Sequence, residues 1–123
     1  MNPNITVELK EHYLEVKLKG EVTFQDYVSL MSKVKFDEHL PKHLRVLGID
    51  DGVSLKFGPS DALLLSKMRD ETVSKFLSVK HAFLVEDPLN TALAVLTTSA
   101  MKSENYHVEI FSSRIAAEQW LKE

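Results

Sequence analysis

The stretch of residues 44–65 constrains the fold more than any other part of this chain. Residues 46–49 predict a short buried strand, and residues 52–59 predict an irregular connection. A helix is then expected to begin at Ser60, because serine is a favoured helix N-cap. A strand followed by a helix in this way is the unit from which parallel α/β sheets are built. Ligands and phosphorylated groups usually lie at such junctions.

Strand and helix patterns alternate along the rest of the chain. Residues 5–9 and 14–18 alternate apolar and polar side chains, which predicts an antiparallel hairpin with the second strand ending at Gly20. Residues 82–85 are almost continuously apolar, as expected of a central parallel strand, and residues 106–111 predict a last strand. The order predicts an α/β fold: a mostly parallel sheet of about five strands, the first antiparallel at an edge, with four helices.

Three of the predicted helices have clear start signals. Thr23 followed by Asp26 resembles a capping box, and this first helix is expected to end near Lys35. Asp87 precedes a proline at the first helical position, and Ser113 precedes the last helix. No linker interrupts the order, so we expect one domain over residues 1–123.

The second long helix is expected to have an apolar inner stripe and a charged outer face. The apolar stripe is predicted to contain Leu64, Leu65, Met68, Thr72, Val73 and Phe76. The outer face is predicted to expose Lys67, Arg69, Asp70, Glu71 and Lys75. This pattern places the charged residues of the helix in solvent.

Composition narrows the possible functions. The chain has no cysteine, which excludes disulfides, thiolate metal sites and cysteine nucleophiles. Its formal net charge is −3, so we expect no nucleic-acid partner. No apolar stretch approaches the roughly 20 residues of a membrane span, and the N-terminus lacks the apolar run of a signal peptide. We therefore expect a cytoplasmic protein.

Three segments resemble one known family. They are Gly20-Glu21-Val22-Thr23, the strand of residues 46–49 followed by Gly52-Val53-Ser54, and the closing run of residues 108–121 with its Ala-x-x-Trp-Leu ending. Together and in this order they resemble the SpoIIAA-like or STAS domains, the anti-sigma-factor antagonists. The resemblance implies the fold predicted above. It also implies a non-enzymatic regulatory module that binds a protein partner through the surface around the second helix.

The phosphorylation motif of that family is missing here. Family members that act as switches carry Asp-Ser-Ser-Gly or a close variant at the start of the second long helix, where this chain has residues 57–61. Ser60 could be the phosphoacceptor, since a helix N-terminus favours a phosphate, or simply a helix cap. The candidate residues for partner binding or phosphorylation are Lys56, Ser60, Asp61, Lys67 and Arg69.

Catalytic and metal sites have little support in the sequence. Asp50-Asp51 and Glu86-Asp87 fall where parallel strands should end and could together hold Mg²⁺, but turn and cap chemistry also explains them. No Gly-x-Ser-x-Gly elbow or phosphate-binding glycine loop is present. We expect no catalytic residues, no metal and no cofactor. The alternative functions are a carrier of a small hydrophobic ligand or lipid, similar to SEC14 domains, and less favoured, a metal-dependent enzyme.

One face of the sheet is predicted to lack helices. If every crossover is right-handed and strands are added in one direction, the helices collect on one face. The other face is then expected to expose His81 and His107 as neighbours, with Phe83 and Phe111. This apolar patch predicts a homodimer or a partner site that covers it.

Overall fold

The computed structural model describes residues 2–123. Within these residues the chain forms five strands and four helices in the predicted order. The strands are β1 (Ile5–Leu9), β2 (Leu14–Thr23), β3 (His43–Lys56), β4 (Ser78–Leu84) and β5 (Tyr106–Phe111). The helices are α1 (Phe24–Lys35), α2 (Pro59–Val73), α3 (Pro88–Ser99) and α4 (Arg114–Lys122). No helix in residues 2–123 is both long enough and apolar enough to cross a membrane.

The strands form one sheet in the order β1-β2-β3-β4-β5. β1 pairs antiparallel with β2 at the edge, and all other neighbouring strands are parallel. The predicted α/β architecture is therefore confirmed. Each parallel connection carries a helix, so the sheet grows by one βαβ unit at a time in a single direction.

β2 and β3 are longer than the sequence predicts. They remain paired beyond residue 50, with an irregularity in the pairing between Leu18 and Gly20. Gly20 and Gly52 have φ values of 63° and 64°, a conformation that glycine adopts with little strain. The predictions that Gly20 ends a strand and that the irregular connection begins at residue 52 were therefore wrong, since only residues 57–58 lie between β3 and α2. A bulge lets both strands continue past these glycines.

The structure confirms the predicted cap of α1 and corrects that of α2. The amide of Asp26 donates to the Thr23 hydroxyl at 3.1 Å, and the Thr23 amide donates to the Asp26 carboxylate at 2.9 Å. In α2, however, the N-cap is Gly58, which has no side chain to accept such a bond. The prediction that Ser60 caps this helix was wrong. Pro59 occupies the first helical position, so Ser60 lies inside the first turn.

Helices cover both faces of the sheet. One hydrophobic cluster joins residues of β1, β2 and β3 to Leu30 of α1 and Val73 of α2. On the opposite face, Leu47 and Ala82 pack against Ala117 and Leu121 of α4, and all four are fully buried. The expectation of a face without helices was wrong, because α4 follows the last strand and is not a crossover between parallel strands.

Polar contacts hold α4 against the start of β2. The hydroxyl of Tyr13 donates to the Glu118 carboxylate at 2.6 Å, and the Arg114 guanidinium donates to the Glu15 carboxylate at 2.7 Å. Arg114 also donates to Glu118 at 3.1 Å, one turn further along the helix. The polar network and the apolar cluster together fix the helix on this face.

Candidate ligand site

A cavity of about 90 Å³ lies between the sheet and the first two helices. Its walls come from β2, β3, β4 and β5 on one side and from α1 and α2 on the other. Most of the lining side chains are aliphatic or aromatic: Leu14, Val16, Leu18, Leu30, Met31, Val34, Leu44, Val46, Val73, Phe76, Val79 and Phe83. An apolar enclosure with a few polar groups is the usual form of a small-molecule site.

Arg69 of α2 is the charged side chain that enters this cavity from the helix layer. It is only 8% exposed, and its Nη1 atom is buried without a hydrogen-bond partner in the structure. Its Cζ atom lies 5.5 Å from the centre of the Phe83 ring, at the distance of a cation–π contact. A buried donor without a partner costs about 1–3 kcal/mol, so it is an unusual feature in a native core.

Two tyrosine hydroxyls flank the arginine. Burial raises the pKa of Tyr27, and it raises the pKa of Tyr106 to about 12, while the nearby charge of Arg69 acts in the opposite direction on both. Both hydroxyls therefore keep their protons near neutral pH. Each hydroxyl carries one hydrogen that it can donate, and that of Tyr106 already pairs with the Nδ1 atom of His81 at 2.8 Å.

His81 completes the polar group. Its Nδ1 atom lies 2.8 Å from the Tyr106 hydroxyl oxygen, and its ring stacks on Phe83 with 4.0 Å between the ring centres. Burial and then the charge of Arg69 lower the pKa of His81 well below its usual value. The imidazole is therefore uncharged near neutral pH, and Arg69 remains the positively charged member of this group.

Asp50 borders the cavity at the end nearer to α3. Burial and the charge of Asp87 raise the pKa of Asp50 to about 6. A carboxylate paired with a guanidinium has a lowered pKa, so this shift is opposite to that of an Asp50–Arg69 ion pair. The structure also has no contact between Asp50 and Arg69 within the 4.0 Å ion-pair distance.

A smaller cavity of about 30 Å³ adjoins the first one at Arg69. The two share Leu18, Tyr27, Asp50, Arg69 and Phe83 as lining residues, and the smaller one continues between α2 and α3 towards Leu65 and Leu93. Space is therefore present on both sides of the guanidinium.

The acidic residues considered for Mg²⁺ line a more polar cleft, which shares Asp50 with the cavity. Asp50, Asp51, Glu86 and Asp87 border this space of about 480 Å³ at the carboxyl ends of the parallel strands. No group of three or more His, Asp or Glu side chains in residues 2–123 is placed to hold a metal ion. Asp87 instead caps α3, because its carboxylate accepts a hydrogen bond from the Asn90 amide at 3.1 Å.

The predicted partner-binding residues separate into two environments. Lys56 is exposed at the end of β3, and on α2 Ser60 and Lys67 are exposed and Asp61 is partly exposed. The prediction that Arg69 is exposed was wrong. Arg69 is four residues after the buried Leu65, so the two share a face of α2.

The predicted interface residues do not form one patch. His81 pairs with Val108 and His107 pairs with Lys80, so the two histidines point to opposite faces. Phe83 is buried beside Arg69, while Phe111 is partly buried against Trp120 of α4, with 5.7 Å between the ring centres. Both aromatic rings are covered by the protein's own helices, which removes the basis for the predicted homodimer.

Sequence reasoning did not identify Tyr27 and Tyr106 as site residues. Tyr27 belongs to the apolar stripe of α1, and Tyr106 is the first residue of β5. A tyrosine in a predicted core stripe needs a partner for its hydroxyl, and this requirement was the available signal.

Comparison with known proteins supports the fold. No family model matches this sequence, and a search of curated proteins also gave no match. Among solved structures, the chain is similar to an uncharacterised protein of the DUF3478 family from Shewanella loihica PV-4, whose fold is described as SpoIIAA-like. The two are 20% identical, the alignment covers 95% of this chain and 91% of the other, and the TM-score is 0.56. The fold of this chain is therefore SpoIIAA-like.

Proposed function

We propose that this protein is a non-enzymatic binding module that holds a small hydrophobic ligand between its sheet and helices α1 and α2. The observation that carries this proposal is the apolar cavity of about 90 Å³ with a buried, unpartnered donor of Arg69 on its wall. A ligand with one polar group would fill the space and satisfy that donor.

The polar groups of the cavity suit binding better than catalysis. Tyr27 and Tyr106 retain their protons, because burial raises the pKa of both. The Nδ1 atom of His81 is already engaged with the Tyr106 hydroxyl at 2.8 Å. Such groups can form hydrogen bonds with a ligand, and tyrosines that keep their protons are not activated as nucleophiles.

Xenon provides a direct test, because it enters dry apolar cavities without needing a polar contact. Under xenon pressure we expect methyl NMR signals of the lining residues to shift. The Val46→Phe variant should fill the cavity and abolish these shifts, whereas Val95→Phe on α3, where Val95 is 47% exposed, should leave them unchanged. Identical xenon responses in both variants would contradict the proposal.

A second candidate function is the binding of a protein partner by the first halves of α2 and α3. Leu63 and Leu64 are 47% and 48% exposed on α2, and Leu89 is 66% exposed on the first turn of α3. Both helices begin at the edge of the sheet where the parallel strands end. Exposed leucines beside Lys56 and Lys67 support an interface with an apolar centre and a charged rim.

This candidate can be tested by comparing what two variants capture from the native cytoplasm. Leu64→Glu should lose any specific partner, because it places a charge in the centre of the surface. Ile115→Glu is a matched control, because Ile115 is 71% exposed but lies on α4, on the opposite face of the sheet. A set of captured proteins that is the same for both variants would argue against an interface on α2.

Phosphorylation of Ser60 would regulate that surface. The residue is exposed in the first turn of α2, where free amide groups favour a phosphate. Mass spectrometry of the purified native protein should then find phosphate at Ser60. Unmodified peptide under all growth conditions would exclude this form of regulation.

A further inference from the structure

We propose that the ligand of the cavity is a small monocarboxylic acid whose carboxylate pairs with Arg69 between Tyr27 and Tyr106. This inference rests on the proposed ligand-binding function and names the chemical class of that ligand. The apolar walls would hold its hydrocarbon part.

In the part of the chain that the structure describes, the buried charge of Arg69 has no carboxylate counter-ion near it. In residues 2–123, no Asp, Glu or terminal carboxylate lies within the 4.0 Å ion-pair distance of the Arg69 guanidinium. The Phe83 ring contributes a cation–π contact, but such a contact does not replace the lost hydration of a buried charge. A bound anion would supply the missing counter-charge.

The hydrogen-bonding groups around Arg69 also match a carboxylate. A carboxylate is an acceptor only, with two oxygens that match the planar fork of a guanidinium. The Nη1 donor of Arg69 lacks a partner, and the hydroxyls of Tyr27 and Tyr106 border the same space. The contact of His81 with Tyr106 at 2.8 Å fixes the position of that hydroxyl. The Nη1 atom of Arg69 therefore borders a space that two tyrosine hydroxyls also line, and it has no hydrogen-bond partner there.

The size and the apolar walls of the cavity indicate what the rest of the ligand is. A cavity of about 90 Å³ is smaller than the roughly 150 Å³ that accepts benzene in another protein, so the hydrocarbon part has about three to five carbons. Inorganic phosphate would leave the apolar walls unfilled. Its second charge would also face Asp50, which borders the same space.

Sodium butyrate is a suitable probe, with butyramide as its uncharged counterpart of nearly the same shape. We would titrate each into the full-length protein, up to about 50 mM, and follow the NMR signals of Tyr27, His81 and Tyr106. Butyrate should bind at least about tenfold more tightly than butyramide, since a charge-assisted pair is stronger than a neutral hydrogen bond.

Two variants on α2 separate the site from the surface. Arg69→Met should lose at least about tenfold in butyrate affinity and little in butyramide affinity, because methionine keeps an apolar side chain of similar length. Lys67→Met removes an exposed charge two residues away and should bind both probes as the native protein does.

The butyrate, butyramide and xenon experiments distinguish a failure of the carboxylate proposal from a failure of ligand binding as such. Equal affinity for butyrate and butyramide in the native protein would overturn the carboxylate proposal, while ligand binding in the cavity would stand. Butyrate binding that survives Arg69→Met would overturn it as well. If neither probe binds and xenon also fails to enter, the ligand-binding function itself fails.

Discussion

The two faces of the sheet are packed differently. Under α4, the side chains of Leu47, Ala82, Ala117 and Leu121 are fully buried against one another. Under α1 and α2, the packing leaves a cavity of about 90 Å³ and encloses the charged side chain of Arg69.

This difference indicates a division of roles. Interiors are normally close-packed, and a void or an unpartnered donor lowers stability. The face under α4 follows that rule, so we infer that it contributes mainly to stability. The face under α1 and α2 departs from it at Arg69, and such departures are expected at functional sites.

Truncating a buried leucine should cost more stability on one face of the sheet than on the other. Leu121→Ala should lower the free energy of unfolding by about 4 kcal/mol, because it opens a new void in a fully packed region. Leu30→Ala on α1 should cost only about 2–3 kcal/mol, since Leu30 already borders a cavity and has fewer partner atoms to lose. Urea denaturation measures both. Equal losses would show that the two faces are packed alike.

A smaller effect concerns the charge of Asp50. Its pKa is raised from 3.8 to about 6 in the folded protein, so the folded state holds its proton more tightly than the unfolded state. Stability from this group is therefore present at low pH and is lost as the pH rises from about 4 through 6. Asp50→Asn should stabilise the protein by about 2 kcal/mol at pH 8 and by much less near pH 4.

The matched control for this prediction is Asp51→Asn. Asp51 is exposed and its contact with Lys17 at 3.4 Å lies in solvent, so the change in stability should be small at both pH values. Comparing each variant with the native protein at the same pH removes the pH-dependent contributions that both proteins share. A constant effect of Asp50→Asn across the pH range would show that burial does not shift this carboxyl.

The stability of the Arg69→Met variant tests whether Arg69 supports the fold or serves a binding site. Replacing an unpartnered buried donor with an apolar side chain should increase stability, so Arg69→Met should raise the free energy of unfolding by about 1–2 kcal/mol. Lys67→Met, on the exposed side of the same helix, should change it by less than about 0.5 kcal/mol. Destabilisation by Arg69→Met would mean that the arginine supports the fold.

Local signals predicted the strand order and most helix starts. The alternation of residues 5–9 and 14–18 and the apolar run at 82–85 were sufficient for the sheet, because right-handed crossovers leave few topologies. Thr23 and Asp87 were identified as caps because their side chains bond to amides only three residues ahead. Such signals do not depend on the rest of the fold.

The site could not be predicted in the same way. Arg69 was assigned to solvent because charged residues are rarely buried, although its spacing from Leu65 placed it on the inner face. The side of the sheet taken by α4 follows from no crossover rule, since no strand comes after it. The pairing of His81 with Val108 depends on the register between β4 and β5, which are far apart in the sequence. A shift of one residue in that register moves every side chain of the strand to the other face of the sheet.

The side chains at the starts of α1 and α2 should also differ in how much they stabilise the protein. Thr23→Ala should cost about 1 kcal/mol, because the Thr23 hydroxyl accepts a hydrogen bond from the Asp26 amide that would otherwise lack a partner. Ser60→Ala should change stability by less than about 0.5 kcal/mol, because Gly58 is the N-cap of α2 and Ser60 is exposed in its first turn. Thermal denaturation of both variants, with urea titration to convert the shifts into free energies, separates the two helix starts. A loss of about 1 kcal/mol for Ser60→Ala would show that this hydroxyl does cap α2 in solution, and it would leave phosphorylation as a competitor of the cap at that position.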